Sequence, residues 1–556
     1  MQYFFIIVGI VLAIVIWSRF SEIKHRRQLK EKLKKEWGEA RSDEYTSEKM
    51  NSIKAYYESM KDACRDVDDI TWNDLDMDEI YMEMNNTQSS IGEEYLYALL
   101  RKPCLDEQEL KERSRLMKYF NNHEEKRLQM QYKLHQIGKI KHISVFEYIN
   151  RLEVQKTESN LIHYLLDFGI LASIGLIFVI PGLGGFLTLA FFIINIFHYY
   201  TCKGKIENYL LIFAFIFRLL DSSKSLIHME IPEIKSYTDR LKEDTRHFGK
   251  IQRGGFVLTP KSGNGDILEI ILDYIRMIFH LDIIKYNSML GFFKKNRAEL
   301  NRIYETVGYL DSMIAAASFR DLIYYYCEPE LVNTKKPMIS TTELYHPLLA
   351  EPVANSIMEE QSVLITGSNA SGKSTFIKTL AINAILTQTI YTATARSYQG
   401  SFFHIYSSMA LRDDIFSNDS YYIVEIKSLK RILDSVNEEV PILCFIDEVL
   451  RGTNTLERIA ASSRILSSLA SKNTLVFAAT HDIELTHILE NSFSNYHFQE
   501  KIEDHQIIFD YKLYQGKAVS KNAIKLLDML GYPGEITESA EAAAQEFLTN
   551  GEWTIL

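Results

Sequence analysis

Residues 362–375 read Ser362-Val363-Leu364-Ile365-Thr366-Gly367-Ser368-Asn369-Ala370-Ser371-Gly372-Lys373-Ser374-Thr375. An apolar strand runs into a complete G-x-x-x-x-G-K-[ST] loop, and a helical run from Phe376 to Leu386 follows it. The two glycines permit a tight turn whose backbone N–H groups point at nucleotide phosphates. Lys373 has the reach for the β- and γ-phosphates, and the Ser374 hydroxyl is a Mg²⁺ ligand. The phosphate-binding set is therefore Gly367, Ser368, Asn369, Ala370, Ser371, Gly372, Lys373, Ser374 and Thr375. A glycine turn with no ligand seldom sits between a strand and a helix in this way. The stretch predicts an α/β P-loop domain that binds ATP or GTP.

Further elements downstream carry the chemistry of hydrolysis. Pro441-Ile442-Leu443-Cys444-Phe445-Ile446-Asp447-Glu448 is an apolar strand ending in two acids. Asp447 suits Mg²⁺ and Glu448 suits the attacking water, whereas paired acids without such a loop are commonly just solvated. Leu475 to Asp482 is a second apolar strand that ends at His481, placed as a γ-phosphate sensor; a lone histidine is more often structural. Ser420 opens a helix at Ser420–Glu425, where it is either a simple N-cap or a contact for an anion held by a second subunit. A polar loop, Glu448-Val449-Leu450-Arg451-Gly452-Thr453-Asn454-Thr455, continues from the acids.

The rest of the chain is of another character. Its 556 residues carry a net charge of −11, which argues against a generally basic nucleic-acid coat while leaving room for local patches. Five scattered cysteines without C-x-x-C spacing suggest neither a zinc site nor a disulfide framework. Tyr3 to Trp17 is an uncharged apolar run followed by many Lys and Arg, which predicts an N-terminal anchor (1–20) with the remainder cytoplasmic. Leu161 to Tyr200 reads as two spans, Ile162–Ile180 and Phe186–Tyr200, broken at Pro181-Gly182-Leu183-Gly184-Gly185. The alternative is a buried helical hairpin in a soluble core. Tyr45–Lys156, Ile206–Lys242 and Ile267–Tyr326 have helical periodicity, and a glycine-rich, strand-forming insert lies between the last two. Short β-rich runs begin at Pro337, so a domain boundary is expected near residue 335.

Taken together, these motifs resemble the MutS family of ABC-type ATPases. Thr366–Thr375 is similar to the family's T-G-x-N-x-x-G-K-S-T, Asp447–Thr455 to D-E-x-x-R-G-T-x-T, and Ala479–Leu485 to A-T-H-x-x-E-L. Asn86–Gly92 with Leu99–Pro103 is similar to the start of the family's lever domain. Two positions depart from the pattern: Leu450 stands where the family has glycine, and Ser368 where it has proline. Nothing before residue 85 resembles a mismatch-reading domain.

The resemblance implies a mixed fold, an α-helical MutS-core-like lever domain and then an ABC-type P-loop ATPase domain; the apolar runs add transmembrane helices to the lever domain, a departure from the family. The expected segments are a 1–20 anchor, a 21–84 juxtamembrane region, helical core 85–160, membrane hairpin 161–200, lever region 201–335, ATPase 336–545 and tail 546–556. It implies ATP and Mg²⁺ as cofactors, with Ser374 and Asp447 on the metal. Glu448 and His481 would be catalytic, and Ser420 would act in trans across a homodimer of ATPase domains. The expected location is the cell membrane, multi-pass, with the ATPase cytoplasmic. Two functions remain open: a DNA-linked ATPase of the mismatch-repair kind, and a membrane-embedded ATP-driven switch that binds no mismatched DNA. A transporter is a weaker third. Lys294, Lys295 and Arg297 are either phosphate contacts or a solvated helix face.

Overall fold

The computed structural model describes residue 17 and residues 20–553 except 22, 41–42, 141–142, 157, 250–273, 335, 369–370, 410–420, 438, 504–505, 519–523, 525–526, 528–530 and 551–552; of residues 205, 207–208, 421, 501–503, 506–507 and 548 it describes only the backbone. The chain divides into two compact units. One comprises Met1–Lys61, Tyr81–Leu100 and Glu112–Leu322, the other Asp62–Ile80, Arg101–Lys111 and Ile323–Leu556. The expected boundary near 335 thus moves to 322/323, and two short upstream segments join the second unit.

The first unit is helical. Its principal helices are α1 (Ser90–Arg101), α2 (Leu161–Ile177), α3 (Pro181–Ile227), α4 (Leu281–Lys295) and α5 (Arg297–Leu322). The Asn86–Gly92 motif is explained by one buried carboxylate. Asp311 of α5 accepts from the backbone N–H groups of Gln88 and Ser89, both at 3.0 Å, and from Ser89 Oγ at 2.7 Å. It thereby satisfies donors at the start of α1 that would otherwise lack partners. Gly92 is obligatory there, because a Cβ would lie 2.2 Å from Asp311 Oδ2.

The apolar hairpin differs from its expected form. The break falls at 178–180, and Pro181 to Gly185 are the first residues of α3, which continues without interruption to Ile227. Proline is at home in a helix's first turn, where its missing N–H would have had no intrahelical acceptor. Gly184 permits the tight reversal: a Cβ there would lie 2.4 Å from the backbone N of Ile177. Among the described residues, one helical stretch is long and apolar enough to cross a bilayer, Pro181–Gly204; Leu161–Ile177 is a shorter apolar helix. The expectation of several spans therefore reduces to this one stretch among the described residues. The proposed anchor at Tyr3–Trp17 lies, apart from Trp17, outside them, as does most of the expected strand-forming insert around 245–266.

The second unit is built on sheets. Among the described residues it has ten strands: β1 (Glu330–Val332), β2 (Ile339–Leu344), β3 (Asn355–Glu359), β4 (Ser362–Thr366), β5 (Ser397–Ser401), β6 (His404–Ser408), β7 (Ile442–Asp447), β8 (Thr474–Ala479), β9 (Phe493–Glu503) and β10 (Gln506–Gln515). A four-stranded sheet has the order β1-β5-β2-β3, and a six-stranded sheet the order β10-β9-β4-β8-β7-β6. In the larger sheet every pair is parallel except the terminal β9–β10 hairpin. β4 and β8 are buried along their whole length, as strands covered on both faces must be. Helices α6 (Lys373–Thr389), α7 (Tyr421–Asp434) and α8 (Thr455–Ala470) belong to this unit. The upstream segment 62–80 earns its place by guarding the β6 edge. Thr71 Oγ1 accepts from Ser407 N at 3.0 Å, and Asp74 accepts from Ser407 Oγ at 2.7 Å and Met409 N at 2.9 Å. Pairing these groups removes an open edge that would otherwise template another strand.

Candidate nucleotide-binding site

The carboxyl ends of β4, β8 and β7 lie side by side, and in parallel sheets that is where ligands bind. Backbone bonds stitch these ends together: Thr480 N–H donates to Ile365 O and Glu448 N–H to Ala479 O, each at 3.0 Å. Chain segments more than 100 residues apart are thus brought to one place.

The loop leaves β4 at Gly367, whose φ of +144° is glycine territory. A Cβ at this position would lie 2.7 Å from Phe498 O. The loop folds on itself, with Ser371 Oγ donating to Ser368 O at 2.8 Å. Lys373 is buried, and its ammonium donates to Gly367 O at 2.8 Å and Ser368 O at 2.7 Å. Burial pushes the pKa of this lysine below its ordinary value, against the opposing pull of Asp447, Glu448 and Glu500. Ser374 and Thr375 stand exposed in the first turn of α6, which holds no acidic residue. The positive end of that helix is therefore open to an anion. Asn369 and Ala370 lie outside the described residues.

Opposite the loop, β7 ends in Asp447, whose Oδ1 is buried without a hydrogen-bond partner. An orphaned carboxylate oxygen facing the loop's lysine fits a cation such as Mg²⁺. Glu448 follows with a left-handed backbone, φ +57°. Its Oε1 lies 2.8 Å from His481 Nε2, and its Oε2 pairs with Arg451. The two residues assigned separately to water activation and phosphate sensing are thus direct partners. Ser420 falls outside the described residues.

Several functional contacts had no assigned role in the sequence. Ser368 Oγ donates to Glu500 Oε2 at 2.7 Å, a bond that a proline at this position could not make. Glu425 of α7 is buried and accepts from the N–H groups of Leu450 and Arg451; burial raises its pKa. It clamps the loop after Glu448 onto the start of α7, where Gly452 leaves room: a Cβ would approach Tyr422 Cβ to 2.9 Å. Arg458 of α8 grips Asp482 in a fork, at 2.9 and 2.6 Å, and so fixes the residue beside His481. Asn454 caps α8 by accepting from Glu457 N at 3.0 Å. Only the S/T/N-x-x-E cap could have been found from local spacing. The other contacts join distant segments.

Residues 363–548 match the family of MutS domain V. Outside comparison agrees with the geometry, since this match covers every site residue described above. The chain is 29% identical over 285 residues to "MutS protein homolog 4" of Homo sapiens, covering 48% of this chain and 30% of that protein. It is 30% identical over 186 residues to "DNA mismatch repair protein MutS" of Thermus thermophilus, covering 33% of this chain and 23% of that one. "DNA mismatch repair protein MSH3" of Debaryomyces hansenii is 26% identical over 284 residues, 47% of this chain and 27% of that relative. The matched part spans less than a third of the length of each of these relatives. The chain is similar to these MutS proteins over a third to a half of its length.

Proposed function

We propose that this protein binds and hydrolyses ATP with Mg²⁺, as a MutS-type ATPase anchored in the cell membrane with its ATPase domain in the cytoplasm. The observation that carries the reading is the convergence of Lys373, Asp447, Glu448 and His481 at the ends of β4, β7 and β8. Ser374 and Asp447 would hold the metal, which neutralises phosphate charge when bound. Lys373 would transfer its ammonium from the loop carbonyls to the phosphates. Glu448 would orient the attacking water, and His481 would hold Glu448 and read the γ-phosphate. Two copies would act as a homodimer through their ATPase domains, with Ser420 of each facing the nucleotide of the other.

Hydrolysis by the full chain in detergent tests this. Glu448→Gln should lower turnover by on the order of 10²- to 10⁴-fold while ATP binding persists. Lys373→Ala should lose ATP binding. Turnover at the parental rate in Glu448→Gln, or unchanged affinity in Lys373→Ala, refutes the respective assignment.

Names of the relatives support a DNA-linked role, as in mismatch repair. A second reading, an ATP-driven membrane switch that binds no mismatched DNA, is favoured by the net charge of −11 and by the apolar hairpin. In that hairpin Phe168, Phe178, Phe186 and Phe197 are each at least 70% exposed, which suits a lipid environment better than a soluble core.

A further inference from the structure

At the open end of the hairpin, away from its turn, three histidines and a cysteine meet. His163 lies two residues into α2, and His198 and Cys202 occupy one face of α3 at i and i+4. The tight turn at 178–180 sets this meeting: His163 lies 15 residues before it and His198 lies 18 after it, which at 1.5 Å per residue places both histidines about 25 Å from the reversal, with Cys202 one helical turn beyond. One ring nitrogen of each histidine and Cys202 Sγ all lie within 4.8 Å of one another. Cys202 Sγ is 3.7 Å from His198 Nε2. Ligands 2.3 Å (sulfur) and 2.0–2.1 Å (nitrogen) from a tetrahedral ion would stand about 3.5 Å apart, so this spacing is close to what such an ion requires.

The surroundings are built to hold these groups still. His163 is 3% exposed, and its Nδ1 is buried with no hydrogen-bond partner. Its ring packs against those of His198 and His280, with centroids 5.2 and 5.1 Å away. His280, fully buried at the start of α4, bonds through Nε2 to Asn195 O at 3.1 Å. That bond leaves Nδ1 as the acceptor nitrogen, 3.5 Å from Asp167 Oδ1, and neither atom has a hydrogen-bond partner. Two buried acceptors facing each other call for a cation or proton nearby. Tyr199 OH donates to Asp282 at 2.8 Å and ties α3 to α4 beside the cluster.

We propose that His163, His198 and Cys202 bind one Zn²⁺ ion that cross-links α2 to α3, with His280 and Asp167 beside it. Two imidazoles and a thiolate are a borderline donor set, which suits zinc better than the hard cation of the nucleotide site. The ion would pin the ends of the hairpin where they leave the apolar surface, and it owes nothing to ATP.

Zinc content of the purified full chain in detergent, after stripping by chelator and reloading with zinc alone, tests the proposal. About one equivalent should return, and X-ray absorption should show one sulfur at about 2.3 Å with nitrogen at about 2.0–2.1 Å. Cys202→Ser and His198→Ala should each weaken zinc binding by on the order of 100-fold, since a residue that touches the ion counts for at least as much as one that only supports a ligand. Cys202→His, which restores a donor, should rebind zinc and separates ligation from misfolding. Cys104→Ser should bind as the parent does. Less than a tenth of an equivalent in the parent, or equal zinc affinity in Cys202→Ser and the parent, overturns the site.

Discussion

Leu450 has a left-handed backbone, φ +60°, at the position where the resembled family has glycine. An L-residue in this region costs about 1–2 kcal/mol relative to glycine. Yet the Leu450 side chain is 1% exposed and packs in a core with Ile446, Leu466 and Leu485. Removing a buried leucine costs about 2–5 kcal/mol, so the packing outweighs the strain. Leu450→Gly should therefore lower the urea midpoint, with a net loss of stability of about 2 kcal/mol at the centre of these ranges. A midpoint that rises would mean that strain dominates. The neighbouring Glu448 holds His481 and Arg451 at once, so its replacement by Gln should cost turnover more than nucleotide binding. At this scale the motif residues Lys373, Asp447 and Glu448 were legible because the P-loop and the strand-end acids have local spacing. Glu500, Glu425 and the Arg458–Asp482 fork were not, because each exists only once remote segments pair.

Among elements, the α2–α3 hairpin departs most from its reading. Pro-Gly-Leu-Gly-Gly has the composition of a loop, and glycine and proline do punctuate most chains. Here the proline opens α3 and the glycines allow contact: Gly184 against the Ile177 backbone, and Gly169 against the Phe191 ring. Backbone cannot yield as a flexible side chain can, so Gly184→Val should open the reversal. Thermal melting of the detergent-solubilised variant should show a clear loss, whereas Gly182→Val, with nothing within 4 Å, should melt as the parent does. Equal melting of both variants would refute the close packing. By contrast β4, β7 and β8 match their expected positions to within a residue or two at either end, since fully buried parallel strands read as unbroken apolar runs.

For the whole molecule, the decisive question is what the ATPase drives. Phosphate contacts to DNA release counterions, so duplex binding should weaken steeply between 50 and 200 mM salt, by roughly 10³–10⁵ for 6–10 contacts. If the DNA-linked reading holds, full-length protein in detergent should bind duplex at low salt and lose it along this slope. Absence of duplex binding at low salt, with ATP hydrolysis intact, would leave the membrane switch. Assigning residues 62–80 and 101–111 to the sheet-bearing unit could not be read from the sequence. Charged amphipathic helices announce that they have a buried face without saying which core receives it.

By itself, the sequence determined that a strand, a phosphate-binding loop and a helix follow one another at 362–389, and that two acids and a histidine end later apolar strands. Short-range spacing sufficed for that, because backbone geometry ties each motif to its local element. Only the tertiary structure decided that β8 inserts between β4 and β7, so that His481 meets Glu448. It alone brought His163 within reach of His198 and Cys202 across a reversal of the chain. Both are consequences of packing, which joins residues by the free energy of burial and not by their distance along the chain.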